Sequence, residues 1–183
     1  MSINWVELTA SNSPLPISQE RFLGGSGQLF NADLKISMPP ESSSDAPTKM
    51  IELQASGVAY LSDMRFVFVA KNPRMTPGPS SFSNFSVAYS NILGTKYEQP
   101  WFGGNYIDIT VRAVQDGGLT SRSVIKCQLR VDGGGLYSFS AALDQCMNAA
   151  RAKQQEFNTL PVYTPPQPAN ASTPNELPPA YTI

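Results

Sequence analysis

Histidine is absent from all 183 residues, and that absence removes a large part of ordinary protein chemistry. Without an imidazole there is no Ser-His or Cys-His nucleophile pair and no histidine metal ligand. Cysteine is nearly absent as well. Cys127 and Cys146 are the two thiols, and both fall on faces expected to be buried, with no basic neighbour to lower a thiol pKa. Carboxylates are scattered singly, so a general base has no partner to work with. Charge of one sign never accumulates: 13 basic and 14 acidic residues give a net charge of −1. The basic stripe of a duplex-DNA reader is therefore missing, and direct sequence-specific nucleic-acid binding is not expected. No run of 18 apolar residues occurs, which excludes a spanning helix. Met1 to Trp5 lacks the basic and apolar regions of a secretory signal, so a reducing compartment is expected and the thiols are read as unpaired. These absences predict a protein that is not an enzyme and needs no metal or cofactor.

What the chain has in quantity is β-pattern and proline. Phe30, Ala32, Leu34 and Ile36 alternate at strand period, and Ile51, Leu53 and Ala55 repeat it. Gly57 to Leu61 and Arg65 to Val69, joined at Ser62-Asp63, read as a hairpin. Phe82 to Tyr89 is a further strand. Tyr106 to Val111 and Ser123 to Val131 form a second pair, with Ile107, Ile109 and Val111 facing Ile125, Cys127, Leu129 and Val131. Gly24-Gly25-Ser26-Gly27 lacks the Lys-Ser/Thr of a phosphate loop and precedes a strand, so it is read as a turn. After Asp132-Gly133-Gly134-Gly135, Leu136 to Phe139 is read as a last short strand. Ser140 then caps a helix carrying Leu143, Cys146, Met147 and Ala150, with Arg151 and Lys153 near its negative pole. The expected fold is mainly β with one C-terminal helix, about seven short strands in a bent sandwich or barrel plugged by the helix. It occupies residues 2–156.

Seven of the 16 prolines lie between Pro161 and Pro179. Residues 157–183 show no apolar periodicity and are expected to be a disordered tail with polyproline II bias. Near its end stands Leu177-Pro178-Pro179-Ala180-Tyr181. Proline fixes φ, so Pro178-Pro179 is close to polyproline II before binding and little ordering entropy is lost on capture. Tyr181 adds a flat aromatic with a polar tip. A WW domain reads this combination, its aromatic groove taking the prolines and a pocket the tyrosine. Leu160-Pro161-Val162-Tyr163 is a weaker relative, the Leu-Pro-x-Tyr variant, and both motifs together would suit tandem WW domains. A second candidate is an anionic headgroup site formed by Lys49, Arg65, Lys71 and Arg74 around the loops of the Gly57 hairpin.

Gly57-Val58-Ala59-Tyr60-Leu61-Ser62-Asp63-Met64-Arg65-Phe66-Val67-Phe68 resembles the signature of GRAM domains. Gln99-Pro100-Trp101-Phe102-Gly103-Gly104-Asn105-Tyr106-Ile107 is similar to the Pro-x-Phe-Gly-x-Asn-Tyr segment of the WW-domain-binding protein 2 family. The resemblance covers nearly the whole chain, and this chain carries one strict Pro-Pro-x-Tyr. It implies a pleckstrin-homology-like body and an adaptor or transcriptional-coactivator role in cytoplasm and nucleus. The implied partners are WW proteins, including HECT-type ubiquitin ligases and WW coactivators, held through Pro178, Pro179 and Tyr181. Two alternatives stand beside it: a GRAM module that binds phosphoinositide or membrane surface, and a ubiquitin-ligase adaptor without a transcriptional role.

Overall fold

Alternation along Phe30–Met38 (β2) buries Ala32, Leu34, Ile36 and Met38 and turns the intervening residues outward. The same period in Tyr106–Arg112 (β7) and Val124–Val131 (β8) buries Ile107, Ile109, Val111, Ile125, Cys127 and Leu129. In register, Leu34 faces Leu129 and Ile36 faces Cys127, while Ile107 and Ile109 face those two residues from β7. A computed structural model of the chain describes residues 2–23, 29–39, 51–71, 82–114, 117 and 124–158.

The remaining strands are Ser2–Ile3 (β1), Ile51–Leu61 (β3), Arg65–Ala70 (β4), Asn84–Ala88 (β5) and Ile92–Glu98 (β6). All eight belong to one antiparallel sheet in the order β1-β5-β4-β3-β2-β8-β7-β6. The sheet curls into a half-barrel. A 3₁₀ turn, Tyr89–Asn91, carries the chain from β5 beside one edge to β6 at the other. Helix α1, Leu136–Asn158, packs on that turn and covers the open side.

β4 is buried on both faces. Phe66, Phe68 and Ala70 point into the barrel, whereas Val67 and Val69 point outward and meet Val6, Leu8, Phe22 and Tyr60. The N-terminal arm, residues 4–23, thus covers the outside of the sheet where β3 and β4 pair. Gly57 makes the β3–β4 approach feasible: a Cβ there would stand 2.1 Å from the Val69 carbonyl oxygen and 2.8 Å from Phe68 Cζ. Inside, Phe139 of α1 meets Phe30 at 5.1 Å and Phe66 at 5.9 Å between ring centroids, both edge-to-face.

The β-rich body and its C-terminal helix agree with the sequence reading, as do the Gly57–Leu61/Arg65–Val69 hairpin and the β7–β8 pair. Four details differ. Residues 51–61 form one continuous strand, and β1 and β6 add two strands, so the count is eight rather than about seven. Leu136 to Phe139 is the first turn of α1, not a strand, and Ser140 lies inside the helix instead of capping it. The cause is Phe139, whose burial on Phe30 and Phe66 demands helical spacing from Leu136 onward; its amide already donates to the Gly135 carbonyl at 2.9 Å. Finally, α1 continues to Asn158 and has no basic residue in its last turn, so Arg151 and Lys153 are not placed at the pole. Lys153 instead reaches Asp63 at 3.4 Å.

Candidate functional site

The β3–β4 turn is the most highly connected polar structure among the described residues. The Ser62 hydroxyl accepts from the amides of Met64 (3.0 Å) and Arg65 (2.9 Å) and donates to the Arg65 carbonyl (3.0 Å). A short side chain that mimics backbone in this way fixes a tight turn. Tyr89 closes the turn from the barrel side, its hydroxyl donating to the Ser62 carbonyl at 2.8 Å. Burial pushes the Tyr89 phenol well above the usual tyrosine value.

Arg65 leaves this turn toward the arm. Its Nε donates to Glu20 Oε1 at 2.8 Å and its Nη2 to Glu20 Oε2 at 2.9 Å, a two-point fork. Nη2 also donates to the Leu15 carbonyl at 3.1 Å, and the Ile17 amide donates to Glu20 Oε2 at 2.8 Å. The Glu20 side chain is 0% exposed and that of Arg65 13%. Burial alone would raise the Glu20 carboxyl; the Arg65 guanidinium and the Ile17 amide outweigh it, and the pKa falls below the usual carboxylate range. Arg65 is therefore a largely buried cation whose donors are directed at Glu20 and the arm. Lys71 is exposed and donates to Asn31 Oδ1 at 2.7 Å. Lys49 and Arg74 lie outside the described residues. Of the four cations expected at a headgroup site, the structure thus describes two, Arg65 bound to Glu20 and Lys71 bound to Asn31.

On the other side of the turn, a cleft of about 310 Å³ opens between Asp63, Met64, Tyr89 and Ser90 and the α1 residues Ala150, Arg151, Lys153 and Gln154. Asp63 accepts from the Arg21 amide and from Lys153, and these bonds hold its carboxyl below the usual range. A carboxylate held ionised by its donors is a weak base near neutral pH, and a phenol kept protonated is a poor nucleophile. Cys146 and Cys127 are free and buried, with burial raising both thiols, Cys127 to about 12. The described residues contain no group of three or more Cys, Asp or Glu placed to hold a metal, and no described helix is long and apolar enough to cross a membrane.

The WW-motif residues Pro178, Pro179 and Tyr181, and Leu160, Pro161 and Tyr163, lie outside the described residues. Sequence reasoning missed Glu20. Its partner is 45 positions away, and no periodic pattern links residues at that distance; the low charge content, 15%, was the one hint that a carboxylate in the arm had a specific role.

No protein-family model matches the chain. A UPF0664 stress-induced protein of Schizosaccharomyces pombe is 29% identical over 189 aligned positions, covering 99% of this chain and 96% of that protein. Two solved structures are similar in outline. One is the C-terminal domain of an unknown protein from Leishmania infantum, with 12% identity, 70% of this chain and 85% of that chain covered, and a TM-score of 0.42. The other is a chain of the 8S snRNP assembly intermediate, with 13% identity, 74% and 87% covered, and a TM-score of 0.44.

Proposed function

We propose that this chain is a non-enzymatic adaptor whose Pro178-Pro179-Ala180-Tyr181 segment is held by WW-domain proteins while the folded body engages a second partner. One observation carries the reading: α1 is the last described element and ends at Asn158, and seven prolines and the Pro-Pro-x-Tyr sequence follow it along the chain. A pre-extended, proline-rich ligand beyond the end of a folded domain suits capture by an aromatic groove. The order of a strand-rich body, a closing helix and then the motif is also the order in the WW-domain-binding protein 2 family. In this reading the body is a GRAM, pleckstrin-homology-like domain, and the partners are HECT-type ubiquitin ligases or WW coactivators met in cytoplasm and nucleus. Leu160, Pro161 and Tyr163 supply a second, weaker grip.

Isothermal titration of the full chain against a WW domain tests this directly. Replacing Tyr181 with Ala empties the tyrosine pocket, and the affinity is expected to fall at least about tenfold. Equal affinity of the two chains would reject the reading.

A further inference from the structure

The β6–β7 hairpin carries a feature that the adaptor reading does not use. Its strands pair until Glu98 faces Tyr106, and between them runs Gln99-Pro100-Trp101-Phe102-Gly103-Gly104-Asn105. Trp101 is 100% exposed and Phe102 94%. Every other phenylalanine whose side chain is described is buried or half-buried. The base of the loop is held: Asn105 Nδ2 donates to the Tyr97 hydroxyl at 3.2 Å, and the Arg130 guanidinium lies over the Tyr106 ring at 5.8 Å. Gly103, at φ +97°, takes the left-handed turn that lets the chain reverse just after the aromatic pair. The result is a convex tip that presents two large aromatic side chains to solvent.

We propose that this tip is a membrane-surface anchor, with Trp101 and Phe102 entering the interfacial layer of a lipid bilayer. Area argues against a second copy of the chain. Two aromatic side chains offer roughly 300–500 Å² together, whereas a stable protein interface needs roughly 800 Å² from each partner. The flank cannot enlarge the apolar patch, because Lys96 and Glu98 form an ion pair there. A bilayer interface needs no complementary pocket, and amphipathic aromatic rings settle at headgroup depth. Lys96 is paired with Glu98 and the Arg130 guanidinium lies over the Tyr106 ring at the base of the loop, so insertion is driven by aromatic burial and not by anionic lipid. Tyr137, exposed in the first turn of α1, lies at the same end of the sheet, since the first residues of β7 run beside the last of β8. This anchor is independent of the residues beyond α1 and of the Lys49, Arg65, Lys71 and Arg74 set.

The test uses the full chain with Trp5→Phe, which leaves Trp101 as the single tryptophan of the two in the sequence. With phosphatidylcholine vesicles, Trp101 emission is expected to shift to the blue and to be quenched by brominated acyl chains. Both effects should persist in about 1 M salt, where the screening length falls to about 3 Å. In co-sedimentation with the otherwise native chain, the Trp101→Ser/Phe102→Ser variant is expected to partition at least about tenfold more weakly. Three results overturn the proposal: no shift or quenching with the native tip, equal partition of the double variant, or binding that vanishes in high salt. Self-association without vesicles that the double variant abolishes would assign the tip to a second copy instead.

Discussion

The sheet has two contrasting regions: the β3–β4 face under the N-terminal arm, and the β6–β7 hairpin at the far edge. At the first, charge is buried and strain is tolerated. Glu20 and Arg65 form a bidentate pair beneath the arm, and Asn4, Asn12 and Gln19 all sit at positive φ, between 61° and 64°. Such conformations cost of order 1–3 kcal/mol each, less for asparagine. They persist because the arm is held at several points. Asn84 Oδ1 accepts from the Val6 amide at 2.9 Å, Asn84 O accepts from the Asn4 amide at 2.9 Å, and Val6 packs on Val67 and Val69. At the hairpin the arrangement is inverted. Left-handed backbone falls on glycine, where it costs little, and aromatic surface is left in water. Stabilising contacts are concentrated where the arm closes on the turn, and the hairpin tip is left free to meet something else.

Removing the buried carboxylate breaks this contrast most severely. Glu20→Ala leaves the Arg65 guanidinium largely buried without its counter-charge and is expected to cost about 3–5 kcal/mol, read from the urea midpoint. The same pair sets an acid dependence. Because the native Glu20 pKa is lowered, the unfolded chain binds the proton more readily, so the contribution is complete above the unfolded carboxylate value and declines as pH falls through the native one. The stability gap between wild type and Glu20→Gln should therefore narrow below about pH 4. A gap that stays constant down to acid pH would show that the ion pair does not contribute in this way.

The arm's second clamp is smaller. Asn84→Ala strips the Val6 amide of its acceptor in a buried setting and is expected to cost about 1–3 kcal/mol. Amide hydrogen exchange localises the effect: protection should drop at Val6 and Asn4 while the β7–β8 ladder keeps its own. Unchanged exchange at Val6 would mean that the Asn84 side chain does not hold the arm there and that the other contacts suffice.

The two regions also differ in how far the sequence disclosed them. Alternation made β2, β7 and β8 legible, because one face of each is buried and period two follows directly. Gly57 and the Ser62-Asp63 turn disclosed the first hairpin for the same local reason. β6 was not legible: Gly94 interrupts its alternation near a register irregularity, and as an edge strand it is only partly covered. The arm has no period to read, since its structure comes from Asn84, Asp63 and Arg65, all distant in sequence. The start of α1 was misread because Leu136-Tyr137-Ser138-Phe139 is a short aromatic run after a glycine turn, which reads as strand from residue type. The three-residue spacing of Leu136 and Phe139 is helical, and their burial, with the rings of Phe30 and Phe66 against Phe139, shows that both ends of that spacing face the core. As for the candidate sites, the WW motif is local and visible in the sequence. The exposure of Trp101 and Phe102 is not, because an apolar pair after a strand reads equally well as core.

The smallest expected effect sharpens the comparison from the opposite side. Trp101→Ser/Phe102→Ser removes the two most exposed large hydrophobic side chains described, which touch nothing that holds the fold. Exposed side chains without buried contacts normally change stability by no more than about 0.5 kcal/mol. The double variant should therefore unfold at the wild-type urea midpoint and keep its cooperativity, in contrast to Glu20→Ala. A destabilisation well above that range would show that the pair packs against the body in solution. The tip would then be part of the core and would have no free aromatic surface to offer a bilayer.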